Sequence, residues 1–302
     1  MSERGVSVAR TIEAVRREVG RERRAGRRIG LVPTMGALHE GHAELVRRCR
    51  GECDFLVVSI FVNPTQFGPN EDLAKYPRTP ELDHALCSTS GADLVFEPSV
   101  EEMYPSGASR TWVEVPGLSD VLEGASRPGH FRGVATVVAK LFQIVQPDVA
   151  AFGQKDFQQL AVIRRMVADL DVPVRVEAIP TVREPDGLAL SSRNRYLSVE
   201  ERAAATVLSR ALHRAVAAVR AGERSGERVR QLLRGTVESE SLAKLDYAEV
   251  ADARTLEPSD ALEPGRSTVA LVAARVGPAR LIDNGLLPEV PSRATGVEGS
   301  GG

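Results

Sequence analysis

Cysteine is scarce in this chain: the 302 residues hold three, Cys49, Cys53 and Cys87. Their number and spacing suit neither a zinc site nor a disulfide framework, so reduced thiols and a cytoplasmic setting are expected. No run of about 18 apolar residues occurs, which excludes a membrane-spanning helix. Residues 1–28 carry many arginines and no apolar stretch of the secretory kind, so a signal peptide is not expected there. Excess charge of either sign is also missing, with 39 basic against 41 acidic residues. The net charge of -2 and pI near 6.3 favour neither nucleic acid nor an anionic membrane as partner. The one basic stretch, 21–28, is diluted by Glu22 and has no interleaved aromatics, so it reads as a solvated turn. Internal repeats and low-complexity blocks are absent. The hydrophobic content of 42% supplies an ample core, and the length suits one large domain or two smaller ones.

The apolar patterning alternates strand and helix. Helical spacing runs through Val8, Ile12, Val15 and Val19. Continuous apolar runs at 29–32 and 55–62 lack polar alternation and read as parallel strands buried on both faces. Pro33, without a backbone donor, is expected to stop the first of them. A helix from about Glu40 joins the two, giving a βαβ unit. Further helices are predicted at 80–87, 134–145 and 157–170, and strands at 93–96, 148–152 and 174–179, with a short edge strand at 111–115. Breakers Pro180, Pro185 and Gly187 mark a hinge. Beyond it the character changes. Ser198 with Glu201 forms a capping box for a helix to about Arg220, followed by a helix at 225–238. Alternating strands at 245–250, 268–274 and 280–283 predict an antiparallel sheet covered by those helices. The Gly- and Ser-bearing stretch from Pro288 reads as a disordered tail.

The chemistry-bearing residues cluster just after the strands. Gly36 and Gly41 permit a tight turn between the first strand and its helix, whose unpaired N–H groups suit an anion, phosphate above all. His39 and His42, three apart, can both project from the first helical turn toward it; a metal pair or two surface histidines are the alternatives. The His-x-Gly-His pattern resembles the HIGH signature of nucleotidyltransferases. Asn63 and Gln66 follow the second long strand, where ligands of open α/β sheets gather; an Asn-Pro turn without ligand is the plainer reading. His130 and Arg132 precede a helix start, as anion contacts or as loop residues. Gly153, Gln154, Lys155 and Asp156 repeat the strand, glycine, helix arrangement. Lys155 can meet a phosphate; Asp156 can accept from ribose hydroxyls or cap the helix; Gln159 lies one turn on. Ser191, Ser192 and Arg193 offer hydroxyls and a guanidinium fork to phosphate oxygens.

Together these segments resemble the pantothenate synthetase family over about 31–284. The carriers are PTMGALHEGH from Pro33, VSIFVNPTQFG from Val58, RPGHFRGV from Arg127, FGQKDFQQL from Phe152 and DGLALSSRN from Asp186. The resemblance implies a Rossmann-like, doubly wound parallel sheet at 1–182, a smaller C-terminal α+β lid domain at 183–287 and a tail at 288–302. It implies ATP- and magnesium-dependent condensation of pantoate with beta-alanine through an enzyme-bound pantoyl adenylate, by a homodimer. It places Met35, Gly36, Ala37, Leu38, His39, Glu40, Gly41 and His42, with Gly153, Gln154, Lys155 and Asp156, along the ATP site. Val182 meets the adenine through its backbone, and Leu190, Ser191, Ser192 and Arg193 close on the nucleotide. Gln66 holds pantoate and beta-alanine, Gln159 holds pantoate, and His42 is the proton donor. Leu190 stands where Met is common, and Gln154 where Glu also occurs. No carboxylate cage for magnesium is evident, which suits an ion held by phosphates and water. Two rivals are a non-catalytic nucleotide sensor on this fold and a HIGH-type enzyme that joins a nucleotide to a phosphorylated acceptor. The intact His39, His42, Lys155, Ser191, Ser192 and Arg193 set argues against the first, and the neutral amides Gln66 and Gln159 against the second.

Overall fold

In chain order the elements of the first part are β1 (Ser7–Ala9), α1 (Ile12–Arg24), β2 (Ile29–Thr34), α2 (Glu40–Arg50), β3 (Phe55–Ile60), α3 (Pro80–Ser90), β4 (Leu94–Phe96), α4 (Val100–Met103), α5 (Glu123–Ser126), α6 (His130–Val145), β5 (Val149–Gly153), α7 (Phe157–Asp169) and β6 (Arg175–Ile179). The second part holds α8 (Val199–Ala205), α9 (Val207–Arg220), α10 (Gly226–Glu238), β7 (Ala243–Asp252), β8 (Thr268–Val276) and β9 (Ala279–Leu286). The computed structural model describes residues 6–69, 71, 73–107 and 109–291. The residues of the expected tail from 292 onward lie outside this range.

The first six strands form one parallel sheet in the order β1-β4-β3-β2-β5-β6. From β2 the chain winds outward through β3 and β4, then returns to add β5 and β6 on the other side. The strand order therefore reverses between β2 and β5, the place where the carboxyl ends of an open α/β sheet leave a crevice. Every residue of β3 is buried, as expected for a strand with helices on both faces.

Several readings of the sequence need correction here. Pro33 does not end β2, because it pairs in register with Ser59. The carbonyl of Thr34 accepts from Phe61 N, 3.0 Å, on the β3 side. Alternate residues face opposite edges, so Pro33 faces β5, where pairing already stops at Leu31 and Ala150. The missing donor falls beyond the ladder and costs nothing. The edge strand is likewise not 111–115, which is irregular, with Val113 N held by Thr136 Oγ1 at 3.0 Å. The edge is β1, where Val8 pairs with Val95. Helix α1 begins only after Thr11, whose side chain accepts from Ala14 N. Its arginines Arg21, Arg23 and Arg24 occupy the last helical turn, opposite the negative end of the helix dipole.

The chain divides into two compact units, Met1–Arg195 and Tyr196–Gly302. The hinge segment stays with the first, since Leu190 N returns to Val182 O at 3.0 Å and Arg183 bridges Ala189. In the second unit the Ser198–Glu201 capping box forms. The long helix expected there is split at Thr206, whose hydroxyl bonds back to Ala203 O at 2.7 Å. Helices α9 and α10 pack on an antiparallel sheet, β7-β8-β9. Among the described residues no helix is long and apolar enough to cross a membrane.

Candidate active site

The loop between β2 and α2 is shaped by hydrogen bonds that the sequence motif alone does not disclose. His39 is the N-cap of α2, and its Nδ1 accepts from Gly41 N at 3.1 Å. The backbone N–H of His39 in turn donates to His42 Nδ1 at 3.3 Å. The two histidines thus complete a capping box in which imidazoles replace the usual hydroxyl and carboxylate. Their ring centroids lie 4.2 Å apart. Because both Nδ1 atoms accept, both rings carry the proton on Nε2. Burial, with His39 beside it, lowers the pKa of His42 to about 3. Burial and Lys155 lower that of His39 as well. At neutral pH the pair is therefore two neutral Nε2–H donors, not two cations. Gly41 is what allows this, since a Cβ there would sit 2.9 Å from His39 Cε1.

Asp83, on α3, anchors the same loop from beneath. Its carboxylate is buried and accepts from Ala37 N at 3.0 Å, Leu38 N at 2.8 Å and Thr79 Oγ1 at 3.1 Å. The sequence reading missed it, because an acidic residue in the first turn of a helix ordinarily answers to the helix dipole.

A cavity of about 260 Å³ opens at the switch point. Met35, His39, Gly41 and His42 line one side; Gly153, Lys155, Asp156 and Gln159, together with Val182, Leu190, Ser191, Ser192 and Arg193, line another; Gln66 lies on the β3 side. Gly36, Ala37, Leu38, Glu40 and Gln154 are not among the lining residues. The N–H groups of Ala37 and Leu38 are taken by Asp83, and Glu40 turns outward to Arg47 at 2.6 Å. Asp156 precedes α7 but makes no side-chain capping bond, which leaves its carboxylate exposed at the cavity. The 190–193 segment is held by Asn194, whose Nδ2 donates to Glu184 Oε1 at 3.1 Å and Ala189 O at 3.0 Å. Val134, Val137, Val138 and Leu141 of α6 supply an apolar wall that periodicity marked only as core.

The amide of Gln66 is fixed in orientation. Asn63 Nδ2 donates to Gln66 Oε1 at 3.1 Å and to Gly133 O at 3.2 Å. Asn63 Oδ1 accepts from Tyr104 OH at 2.8 Å. With its oxygen engaged, Gln66 presents its NH₂ group, which lies 3.0 Å from Met35 Sδ. Gly133 permits the close approach of α6, as a Cβ there would stand 2.4 Å from Thr65 O. Beside Gln66, Arg127 and His130 also line the cavity. Arg127 Nε and Nη2 donate to Glu71 at 2.7 and 2.6 Å. Its Nη1 lies 3.0 Å from His130 Nε2, and His130 Nδ1 lies 2.8 Å from Gln66 O. A guanidinium can only donate, so His130 accepts at Nε2 and donates from Nδ1. Burial, then Arg127, lowers the His130 pKa to about 4.

The family model described as pantoate-beta-alanine ligase matches residues 7–286. The chain belongs to that family. It is 60% identical over 266 residues to the pantothenate synthetase of Acidobacterium capsulatum, covering 88% of each chain. It is 55% identical to that of Moorella thermoacetica, covering 93% of this chain and 99% of the other. The crystal structure of pantothenate synthetase from Thermus thermophilus superposes with a TM-score of 0.86 at 48% identity, over 92% of this chain and 98% of that one. The Francisella tularensis pantoate-beta-alanine ligase, complexed with beta-gamma ATP and beta-alanine, gives a TM-score of 0.73 at 33% identity over 95% of this chain and 100% of that one. As the matching model runs to residue 286, family membership covers both compact units.

Proposed function

We propose that this cavity ligates pantoate to beta-alanine in two half-reactions. A free carboxylate is a poor acyl donor, because oxide is a poor leaving group. In the first step a pantoate carboxylate oxygen attacks the α-phosphorus of ATP. The bond from that phosphorus to the oxygen bridging to the β-phosphate breaks, and pyrophosphate leaves. In the second step the neutral amine of beta-alanine attacks the acyl carbon. An amide forms, AMP departs with the bonding pair, and the amine nitrogen loses its proton. The products are pantothenate, AMP and pyrophosphate.

The observation that carries this reading is the convergence, at the carboxyl ends of β2, β3 and β5, of the His39–His42 donor pair, Lys155 and the oriented Gln66 in one cavity. Negative charge grows on the phosphates during the first step. Lys155 and Arg193 meet it as cations, and the Nε2–H groups of His39 and His42 and the hydroxyls of Ser191 and Ser192 meet it as donors. Donors already locked by a capping box need no reorganisation at the moment of transfer. Gln66, presenting NH₂, suits the acid, and Gln159 reaches the same space. Positioning carries much of the second step. Magnesium accompanies the nucleotide in this reading, held largely by its phosphates and water. The reading includes a cytoplasmic homodimer: Cys49, Cys53 and Cys87 are free thiols, and sedimentation of the purified protein tests the dimer.

The decisive experiment is ATP–pyrophosphate exchange across a panel of small acids. Pantoate should drive exchange without beta-alanine, and one equivalent of pantoyl adenylate should accumulate on the enzyme. Release of ADP and inorganic phosphate would point to an acyl phosphate and overturn the proposal.

A further inference from the structure

The turn between β2 and α2 commits its main-chain donors to the protein itself. Gly36 N donates to Thr34 Oγ1 at 3.3 Å, Ala37 N to Asp83 Oδ2 at 3.0 Å, Leu38 N to Asp83 Oδ1 at 2.8 Å and His39 N to His42 Nδ1 at 3.3 Å. Four consecutive N–H groups are thus taken by side chains, so this turn serves the cavity through the His39 ring rather than through a main-chain cradle. Asp83 holds the middle two and is 2% exposed. It is not among the residues that line the cavity. Thr79, the N-cap of α3, makes no capping bond with its side chain; its hydroxyl donates to Asp83 Oδ1 at 3.1 Å instead. The carboxylate also fits closely under the turn, since a Cβ on Gly36 would stand 3.0 Å from Asp83 Oδ2.

The conformation so held is one that the local sequence does not favour by itself. Gly36 has φ +81° and Ala37 φ +51°, two left-handed residues in succession. Glycine adopts that region freely; alanine does not, because its Cβ crowds the following carbonyl oxygen. An alanine there persists only where its surroundings over-determine it, and the Asp83 carboxylate supplies that hold by accepting from Ala37 N. Resting on the ligase reading of this cavity, we propose that Asp83 is a positioning residue for the first half-reaction: through the 36–38 backbone it fixes where the His39–His42 pair presents its Nε2–H groups. Leu38, gripped at Oδ1, directly precedes His39, the N-cap whose ring accepts from Gly41 N and whose own N–H closes the cap on His42. A turn released at Ala37 therefore moves both rings together. Transfer of the acyl group to the amine follows departure of pyrophosphate, so it depends less on that placement.

The test reads two rates in one preparation: the pyrophosphate burst from ATP and pantoate, and transfer of preformed pantoyl adenylate to beta-alanine. Asp83→Asn keeps the shape of the side chain but leaves one acceptor oxygen in place of two, so either Ala37 N or Leu38 N loses its partner. The burst should slow by roughly 10- to 100-fold, the scale of a reacting group misplaced by about 1 Å, while transfer changes by no more than about threefold. The burst amplitude counts folded sites and both rates come from one sample, so loss of folded enzyme cancels. Ala37→Gly separates placement from stability. Glycine holds the left-handed conformation without help, so in an Ala37→Gly background the same Asp83→Asn substitution should slow the burst several-fold less than it does beside Ala37. Thr79→Val, which removes only the hydroxyl that steadies Oδ1, serves where Asp83→Asn does not fold, and should show the same imbalance between the halves on a smaller scale. Equal slowing of the two halves, a lowered melt with an unchanged burst rate, or a cost of Asp83→Asn that is the same in both backgrounds overturns the proposal. If wild-type enzyme gave no burst with pantoate, the ligase reading of the site would fall instead.

Discussion

Replacing Gly41 with alanine separates the structural duty of His39 from its chemical one. The new Cβ would meet His39 Cε1 at 2.9 Å and Nδ1 at 3.0 Å. The imidazole is the movable partner, so it swings aside and gives up its bond to residue 41, now 3.1 Å long. Two stability terms then oppose each other. Alanine inside a helix is favoured over glycine by about 0.5–1 kcal/mol. A lost N-cap costs about 0.5–2 kcal/mol. The net change lies between about 0.5 kcal/mol of gain and about 1.5 kcal/mol of loss, a shift in Tm of no more than about 6 °C. The chemical term has no such offset. On the proposed function the Nε2–H that serves the phosphates is displaced, and loss of one preorganised donor slows a reaction by roughly 100-fold. Rapid-quench measurement of the pyrophosphate burst, with calorimetry alongside, reads both quantities. His39→Asn is the companion variant: asparagine caps a helix well, so it should keep the melt and show the same slow burst. A Gly41→Ala enzyme with a burst within about threefold of wild type would refute the claim that the ring's placement matters, and a melt lowered by 10 °C or more would refute the balance of terms.

Lys155→Ala should reduce adenylate formation by roughly 100-fold while slowing transfer from preformed adenylate much less, because pyrophosphate has by then left; equal losses in the two halves, measured by rapid quench, would remove Lys155 from the phosphate site. Acid stability should report the buried histidines. The pKa values of His42 and His130 fall to about 3 and about 4 in the folded chain, against an ordinary 6.5. Below pH 6.5 the unfolded chain takes up protons that the folded one refuses. Their contribution is therefore complete above that pH and is lost as pH falls toward 3–4, at about 1.4 kcal/mol per pH unit for each ring. Denaturant titrations of wild type and His42→Asn should differ in this slope by about that amount, and a ring carbon resonance of His42 that titrated near pH 6.5 would contradict the burial argument.

Much of this site is legible in the chain because its residues follow strands, and parallel strands announce themselves as unbroken apolar runs. β2, β3 and β5 are visible in that way, β6 carries Arg175 and Glu177 among its apolar residues, and the motif residues His39, Gln66, Lys155 and Val182 come soon after these strands. What escapes is whatever depends on a distant partner. Asp83 is an ordinary helical acid until its three donors are seen. Tyr104 has no pattern that ties it to Asn63, 41 positions away. Val8 keeps helical spacing with Ile12 and Val15, yet pairing with Val95 makes it a strand residue. The spacing of the two histidines suggested side chains aimed at a ligand; that each also closes the other's cap follows only from the ring nitrogens. For Asp156 the sequence left a ligand contact and a helix cap both open; the fold shows no side-chain cap and leaves the residue at the cavity.

The seam between β2 and β5 bears on how the enzyme empties itself. A cleft that turns over must be tolerable to the backbone both when filled and when vacated. Beyond Leu31 the β5-facing edge of β2 has no strand to bond to. An ordinary residue at 33 would point an N–H into that gap, contented by a bound anion and deprived of it each time product leaves. Pro33 has no hydrogen to lose. Its ring leaves one donor fewer to satisfy along the open seam, whether a ligand fills it or not.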